Sequence, residues 1–293
     1  MADESKMQCG PFNLVEPIGE GGMATVWRGV HARQGVAVAI KVMDPAGAVA
    51  EGGQRLFRQE VQAHAGLHHP AIVTIYDYGE IGAETAAGSE GELVEGTPYL
   101  VLEFAESGTL EGAMPASWSV CREILLALID GLAHAHARGV IHRDIKPSNV
   151  LRFPRAQGVA RWRLSDFGVA HAVDQVRQEG TGDVSGASAG TPLYAPPEQL
   201  RGNWRHFGPW TDLYQLGCLA YELVCGRPPF LGDSYIEVAT KQMTEPPPAL
   251  EPAFPVPEGV EAWIRRAMAK SLDERLRRAA DAARALARLQ FEQ

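Results

Sequence analysis

The run over residues 140–151, V-I-H-R-D-I-K-P-S-N-V-L, places three polar side chains of complementary chemistry between apolar flanks. The carboxylate of Asp144 can accept the proton of an incoming hydroxyl, and the ammonium of Lys146 can neutralise charge that grows on a transferred phosphate. Asn149 adds a neutral side-chain oxygen of the kind that Mg²⁺ accepts as a ligand. A solvated turn around Pro147 is the alternative for an isolated Asp and Lys, so the interpretation depends on the surrounding elements.

A single lysine lies in a second candidate region. Residues 36–43 form a nearly continuous apolar strand that contains Lys41, and a charge in such a run needs a partner. Glu60, on a segment with helical spacing, is the candidate acid. Glu51 and Glu106 are rivals, although the first precedes two glycines and the second lies in a loop. A lysine that extends from an edge strand into solvent is the alternative.

A glycine-rich turn precedes that strand. The glycine-rich residues 19–22 join two β-rich runs, 12–19 and 25–30, and this pattern predicts a strand, a glycine turn and a second strand. Glycine lets backbone amides approach phosphates because no Cβ intervenes, so such a hairpin can cover a nucleotide. An ordinary β-turn is the alternative. A dinucleotide-binding loop is disfavoured, since it requires a helix where Val26 and Trp27 favour a strand.

Other elements must position these residues. Two further apolar runs, 71–76 and 97–104, bring the N-terminal part to five predicted strands, and the glycine- and glutamate-rich stretch 79–96 between them is predicted to be a flexible excursion. Helical spacing over residues 118–138, with Gly139 as the C-cap, predicts a helix that leads into the 140–151 run. Its two histidines, His134 and His136, are predicted to be packing or surface residues.

A second predicted helix, 211–226, is apolar on almost every side, which is typical of a helix buried in a core. We expect Thr211 to cap it and Gly226 to end it. Asp212, at its start, could bond the backbone of the 140–151 run, and a favourable interaction with the helix dipole is the simpler alternative. Three amphipathic helices are predicted after Gly232.

Composition limits the class of protein. A chain of 293 residues that is 45% hydrophobic can build a large core in two lobes, and a formal net charge of −9 disfavours a nucleic-acid partner. The four cysteines form no C-x-x-C pair and are predicted to be reduced thiols. No apolar stretch is long enough to span a bilayer, and the N-terminus lacks the apolar core of a signal peptide. We therefore expect a cytoplasmic protein, or a cytoplasmic domain of a longer one, that does not insert into membranes.

In combination, the motifs resemble those of the protein kinase family. H-R-D-I-K-P-S-N at 142–149 resembles the catalytic loop, V-A-I-K at 38–41 the phosphate-gripping lysine strand, and D-F-G at 166–168 the metal-binding motif. G-T-P-L-Y-A-P-P-E at 190–198 resembles the stretch that contacts the substrate, and G-E-G-G-M-A-T-V at 19–26 the nucleotide flap. The motifs occur in the family's order, which is a far stronger signal than any one of them.

The resemblance implies an α+β, bilobal protein kinase fold. Residues 9–103 would form an N-lobe with a five-stranded antiparallel sheet and one helix, and residues 104–293 a mainly helical C-lobe. The activity implied is that of a serine/threonine protein kinase, which transfers the γ-phosphate of ATP to hydroxyls of protein substrates, itself included. ATP and Mg²⁺ are the cofactors implied, with Mn²⁺ as an alternative metal. Lys146 and Thr191 favour the Ser/Thr class over tyrosine kinases. The motif sequences at 19–26 and 190–194 are similar to those of bacterial members of the family.

The resemblance also assigns roles to residues. Lys41, held by Glu60, would orient the phosphates, while Asp144 would orient and deprotonate the hydroxyl. Lys146 would stabilise charge on the γ-phosphate. The metal would be held by Asn149 and Asp166. The nucleotide pocket would be formed by Ile18, Gly19, Glu20, Gly21, Gly22, Met23, Val26, Ala39, Lys41, Leu102, Glu103, Ala105 and Leu151.

Residues 169–190 resemble an activation segment, because they are rich in small and polar residues with little that could build a core. A phosphate on this segment could pair with Arg143 and order it; hydroxyls that are never modified are the alternative. The candidate modification or substrate-contact positions are Thr181, Ser185, Ser188 and Thr191.

The chain departs from the family pattern at three positions. Ala24 stands in place of the third glycine of the flap, Pro196 in place of the alanine of A-P-E, and Glu274 where a proline is usual. We expect Arg277 to be the arginine that pairs with Glu198.

Two other classes of function remain open. A catalytically silent, kinase-like scaffold would bind partners or ATP without turnover, but such proteins typically lose the lysine, the base or the metal aspartate, which are all present here. A small-molecule phosphotransferase uses related chemistry, yet it would not need the peptide-contacting stretch at 190–198.

Overall fold

The structure, a computed structural model, describes residues 7–21, 24–43, 61, 64–89, 91–154, 161–167 and 192–291. The chain divides into two compact units. Among the described residues, the first unit takes those up to residue 68 together with 73–105, and the second takes 69–72, 106–167 and 192–291. The first unit is built on a sheet and the second mainly on helices, as expected for an α+β protein.

The first unit contains a six-stranded antiparallel sheet of order β1-β2-β3-β4-β6-β5. The strands are β1 (Gln8–Cys9), β2 (Phe12–Gly21), β3 (Ala24–His31), β4 (Ala37–Met43), β5 (Ile75–Glu80) and β6 (Pro98–Glu103). The sequence predicted five strands. The additional strand is β1, whose two residues are too few to give a periodic signal.

One face of the sheet packs on an apolar core. Trp27, Ile40 and Val101 lie side by side on β3, β4 and β6, and all three are buried. The core also includes Ile81 and Leu93, which follow and precede strands of the sheet. Because side chains alternate between the two faces of a strand, this core fixes which residues face the other way.

The fourth predicted strand is displaced along the chain. The apolar run suggested residues 71–76, whereas β5 begins at Ile75. Ala71 and Ile72 instead pair with Leu164 of the second unit, where the Leu164 amide donates to the Ala71 carbonyl over 2.9 Å and Ile72 forms a parallel bridge. The most apolar part of the run therefore belongs to the other unit.

The stretch 79–96 was predicted to be a flexible excursion between strands, and no helix was predicted within it. It contains a short helix, α1 (Ala83–Gly88). The hydroxyl of Ser89 donates to the Ala86 carbonyl and accepts the Leu93 amide, over 2.8 and 3.0 Å. Two apolar anchors, Ile81 and Leu93, are buried and hold a stretch that is polar in overall composition.

The second unit contains six α-helices within its described residues, together with the two-stranded sheet of β7 (Val150–Arg152) and β8 (Trp162–Leu164). The helices are α2 (Trp118–His136), α3 (Pro197–Leu200), α4 (Pro209–Cys225), α5 (Tyr235–Thr244), α6 (Val260–Ala267) and α7 (Ala279–Ala287). Helix α2 packs on α4 and α7, and its buried residues recur at helical spacing, such as Leu125, Leu128 and Leu132. Among the described residues, no helix has the length and apolar character needed to cross a membrane.

Helix α4 is buried along nearly its whole length, as predicted. It begins at Pro209, so Thr211 lies inside its first turn and is not the N-cap. The Thr211 hydroxyl still serves the helix start, because it accepts the Gly208 amide over 3.1 Å. The helix ends at Gly226, whose φ of 77° is a left-handed conformation that glycine adopts without steric cost.

Candidate active site

The three polar side chains of the 140–151 run lie in direct contact. The Nζ of Lys146 is 2.8 Å from Oδ2 of Asp144. The side-chain nitrogen Nδ2 of Asn149 donates to the same Oδ2 over 2.8 Å and to the Asp144 backbone carbonyl over 2.7 Å. Asn149 is buried in a 3₁₀ turn, whereas Asp144 and Lys146 are partly exposed. The loop therefore presents a carboxylate and an ammonium, both partly exposed to solvent, beside a buried amide.

Asp212, at the start of α4, holds the backbone of this loop. Its Oδ2 accepts the His142 amide over 2.9 Å, and its Oδ1 accepts the Arg143 amide over 2.8 Å. The geometry agrees with the expectation that Asp212 bonds the loop. The carboxylate also contacts Nε2 of His136 at 2.7 Å, so His136 positions Asp212 and is more than a packing residue.

His142 links the loop to the end of β8. Its Nδ1 accepts the Asp144 amide over 3.3 Å, while Nε2 lies 2.8 Å from the Ser165 carbonyl, which can only accept. Both bonds are satisfied by the neutral imidazole with its proton on Nε2. Burial lowers the pKa of His142, although the carboxylates of Asp212 and Asp144 oppose this shift, and it therefore favours the neutral form.

Ser165 connects the loop to Asp166. Its amide donates to the Asn149 carbonyl over 2.9 Å, and its hydroxyl lies 3.5 Å from Oδ2 of Asp166. Asp166 has a φ of 62°, which is uncommon for a residue other than glycine, and the ring of Phe167 packs 4.4 Å from that of His142. The chain is thus held on both sides of Asp166 while it makes a sharp turn.

The donor set fits a hard divalent cation. Both hydrogen bonds from Asn149 to Asp144 use the amide nitrogen, so its Oδ1 is the atom that Asp144 does not engage. Asp166 supplies carboxylate oxygens on the neighbouring segment. Amide and carboxylate oxygens are the ligands that Mg²⁺ prefers, usually together with water and phosphate.

In the first unit, the sheet register gathers five residues of the expected nucleotide pocket on one face. Gly19, Val26 and Lys41 lie in one row across β2, β3 and β4. Ala39 is directly opposite Leu102 of β6, and directly opposite residues share a face. These five residues point away from the core that contains Ile40.

The remaining sequence-predicted residues have less uniform positions. Ile18 and Glu20 are exposed side chains on β2, Glu103 ends β6, Ala105 follows it, and Leu151 lies on β7 in the second unit. Several predicted residues lie outside the described residues, so their predictions stay predictions: Gly22, Met23, Glu60, Thr181, Ser185, Ser188 and Thr191.

The buried acid of the 190–198 stretch has a different partner from the one expected. Oε1 of Glu198 accepts a bond of 2.7 Å from Nη1 of Arg275 and another of 3.1 Å from the Thr211 hydroxyl. The Nη1 of Arg277 instead lies 3.9 Å from Oδ1 of Asp273, and the Arg277 side chain is about half exposed. The prediction for Arg277 is therefore wrong, because the buried arginine is the one two positions earlier.

The protein kinase domain family matches residues 12–286, and the chain belongs to that family. It is 36% identical over 273 residues to a probable serine/threonine-protein kinase PknB of Bifidobacterium longum, with 91% of this chain and 38% of that protein covered. It is also 36% identical over 250 residues to the serine/threonine-protein kinase PknA of Mycobacterium tuberculosis, with 84% of this chain and 54% of that protein covered. The chain thus spans between a third and a little over half of these curated relatives.

Solved structures support the fold. The crystal structure of the PknI kinase domain from Mycobacterium tuberculosis matches with a TM-score of 0.69 and 24% identity, over 97% of this chain and 98% of that chain. This similarity confirms the α+β protein kinase fold, with a sheet-based N-lobe and a helical C-lobe. The chain is a protein kinase domain, and ATP with a divalent metal is general to its family.

Proposed function

We propose that this domain transfers the γ-phosphate of ATP to serine and threonine hydroxyls of proteins, its own included. The observation that carries the proposal is the contact between Asp144, Lys146 and Asn149, linked through Ser165 to Asp166. This arrangement combines a proton acceptor, a cation and oxygen ligands within one loop and its neighbour. Residues 9–103 and 104–293 are the proposed N-lobe and C-lobe.

Asp144 is the proposed proton acceptor. Among the described residues, both side-chain contacts to its carboxylate fall on Oδ2, from Lys146 and from Asn149. Oδ1 is therefore the oxygen available to the substrate hydroxyl, and the two contacts fix its direction. Such positioning is the main protein contribution to phosphoryl transfer.

Lys146 and Lys41 are the proposed cations. Lys146 stabilises negative charge that develops on the transferred group, and it is close enough to Asp144 to act where the hydroxyl attacks. Lys41 lies in the same row as Gly19 and Val26 and would orient the phosphates from the sheet, with Glu60 as its proposed partner. Asn149 and Asp166 would hold Mg²⁺, or Mn²⁺, which supplies positive charge to the phosphates when bound.

The proposed acceptors are protein hydroxyls, because the relatives named above are serine/threonine kinases. A net charge of −9 makes nucleic acid a poor partner. We place the domain in the cytoplasm, where ATP is available. A phosphate on the segment before Gly190 would pair with Arg143, and the candidate positions are Thr181, Ser185 and Ser188. Thr191 is the candidate position in the substrate-contacting stretch at 190–198.

The test is the intact mass of the purified protein before and after incubation with Mg²⁺ and ATP, with a generic Ser/Thr peptide as a second acceptor. Asp144→Asn preserves the shape of the side chain but removes its basicity, and we expect turnover to fall by about 10²- to 10⁴-fold while ATP binding is retained. Asp273→Asn is the matched control, because that side chain is 93% exposed and takes part in none of the loop contacts described above. Undiminished transfer by Asp144→Asn would contradict its role, and a wild type that binds ATP without phosphorylating either acceptor would indicate a silent scaffold.

A further inference from the structure

Gln215 is a polar residue on the otherwise apolar, buried helix α4. Its side chain is only 2% exposed. A buried amide is costly unless its donors and acceptors are paired. Its partners therefore show what this side chain does.

The side-chain amide of Gln215 bonds the backbone on both sides of Asp144. Its Oε1 accepts the Ile145 amide over 2.9 Å, and its Nε2 donates to the Arg143 carbonyl over 2.7 Å. The two bonds pair one amide with the two peptide units that flank a single residue. The Cα of Asp144 is thus held from both directions, and the carboxylate projects from a fixed point.

Gln215 completes a set of contacts that Asp212 begins. Asp212, one helical turn earlier on the same face of α4, accepts the amides of His142 and Arg143, so it holds the loop only up to the residue before Asp144. Gln215 bonds the Arg143 carbonyl before Asp144 and the Ile145 amide after it. Without it, the peptide unit after Asp144 would lose its link to the helix.

A second amide, that of Gln199, supports this arrangement. Nε2 of Gln215 also lies 3.0 Å from Oε1 of Gln199, and Nε2 of Gln199 donates to the same Arg143 carbonyl over 3.1 Å. Arg143 has a φ of 69°, a left-handed conformation that costs about 1 kcal/mol or more for a residue with a side chain. Such a conformation persists where surrounding bonds fix it, and the Arg143 carbonyl accepts two of them.

We propose that Gln215 is a positioning residue for phosphoryl transfer, which orients Asp144 through the peptide units on either side of it. The proposal rests on the function proposed above. Gln215 is buried and belongs neither to the expected nucleotide pocket nor to the substrate-contacting stretch at 190–198. Its loss alters the direction of the Asp144 carboxylate, and a displacement of about 1 Å in a reacting group can cost about 10²-fold in rate.

The test is Gln215→Met, which has a similar length and volume but cannot form the hydrogen bonds. We expect kcat for a Ser/Thr peptide to fall by about 10- to 100-fold, with KM for ATP and for the peptide changed by less than about 3-fold. Trp263→Phe is the control for stability alone. It removes a buried hydrogen bond to the Ala282 carbonyl between α6 and α7, and it should lower Tm while kcat is retained.

The outcomes separate the two proposals. A wild type without activity would contradict the proposed function. An active wild type together with a folded Gln215→Met whose kcat is within about 3-fold of the wild-type value would contradict only the positioning role. A kcat decrease of the same size in Trp263→Phe would also overturn it, because loss of stability would then explain both. Should Gln215→Met fail to fold, Gln199→Met decides: a decrease in kcat of about 3-fold or more, with KM unchanged, supports the proposal, and an unchanged kcat overturns it.

Discussion

The two units hold their candidate site residues by different physical means. In the first, Lys41 is placed by the hydrogen-bond ladder of β4 with its neighbours and by an apolar core on the opposite face. In the second, Asp144 lies in a loop, and buried polar side chains from distant helices bond the backbone of that loop. The first arrangement is repeated along each strand, whereas the second depends on individual atoms.

This difference predicts different sensitivities. A sheet that packs on an apolar core should respond mainly to changes of volume, because its backbone groups pair regardless of side chain. A loop held by buried polar side chains should respond strongly to the loss of one hydrogen-bonding group, because its partner is left buried and unpaired. Three substitutions test the comparison.

The largest effect is expected at Arg275. Arg275→Met removes the charged partner of the buried Glu198 carboxylate, and breaking a buried pair on one side costs about 3–5 kcal/mol of the free energy of unfolding. Arg277→Met is the matched control, since that side chain is 56% exposed, and a change within about 0.5 kcal/mol is expected. Urea unfolding of both variants measures the difference. Equal losses, or a larger loss in Arg277→Met, would mean that the second unit does not depend on this pair.

An intermediate effect is expected in the sheet. A Cβ on Gly29 would lie 2.6 Å from Cδ1 of Ile40 and 3.1 Å from the Asn13 carbonyl, so Gly29→Ala overpacks the core at a cost of about 1–3 kcal/mol. Gly82→Ala is the control, because a Cβ there meets no atom within 4 Å of the described structure and its φ is −79°. Thermal unfolding compares the two variants. A Gly29→Ala protein as stable as Gly82→Ala would show that the sheet tolerates added volume.

The smallest effect is a change in the pH dependence of stability. Burial lowers the pKa of Lys270 from 10.5 to about 8, and its Nζ donates to the Tyr214 hydroxyl over 2.7 Å. Between pH 8 and 10.5 the unfolded chain binds more protons at this residue than the folded chain does, so its contribution to the free energy of unfolding rises with pH. Below pH 8 the buried charge opposes folding.

Lys270→Met should remove that rise. The free energy of unfolding of the wild type minus that of the variant is expected to increase from about pH 7.5 to about pH 9.5, as measured by urea unfolding at several pH values. The other charged or ionisable groups that act on Lys270, namely Cys218, Arg275 and Glu245, are present in both proteins. A constant difference over this range would show that Lys270 keeps its ordinary pKa and that its burial carries no cost.

Much of the fold and of the site was predictable because the signals are local. Alternating or continuous apolar runs predicted β2, β3, β4 and β6 to within a few residues. The loop around Asp144 was recognisable from residue types alone, since its polar side chains contact one another within a few positions of the chain.

The residues and elements that the sequence analysis mispredicted or missed depend on partners that are distant in the sequence. Arg275 and Arg277 are two arginines in one short polar stretch, and only packing decides which one is buried. Gln215 carries no local signal, because an amide in an apolar helix does not reveal that its partners lie 70 and 72 residues earlier. The displacement of β5 has the same origin, since the apolar run at Ala71 pairs within the second unit.

The bond between Glu198 and Arg275 also has a consequence for synthesis. Its two residues are 77 positions apart, and Asp212 follows the loop that it holds by about 70. A ribosome releases the chain from the N-terminus at a few residues per second, about 5–20, so the loop around Asp144 leaves the ribosome several seconds before the residues that shape it. The nascent chain can therefore complete its sheet early, but it acquires a shaped loop around Asp144 only after α4 has been made.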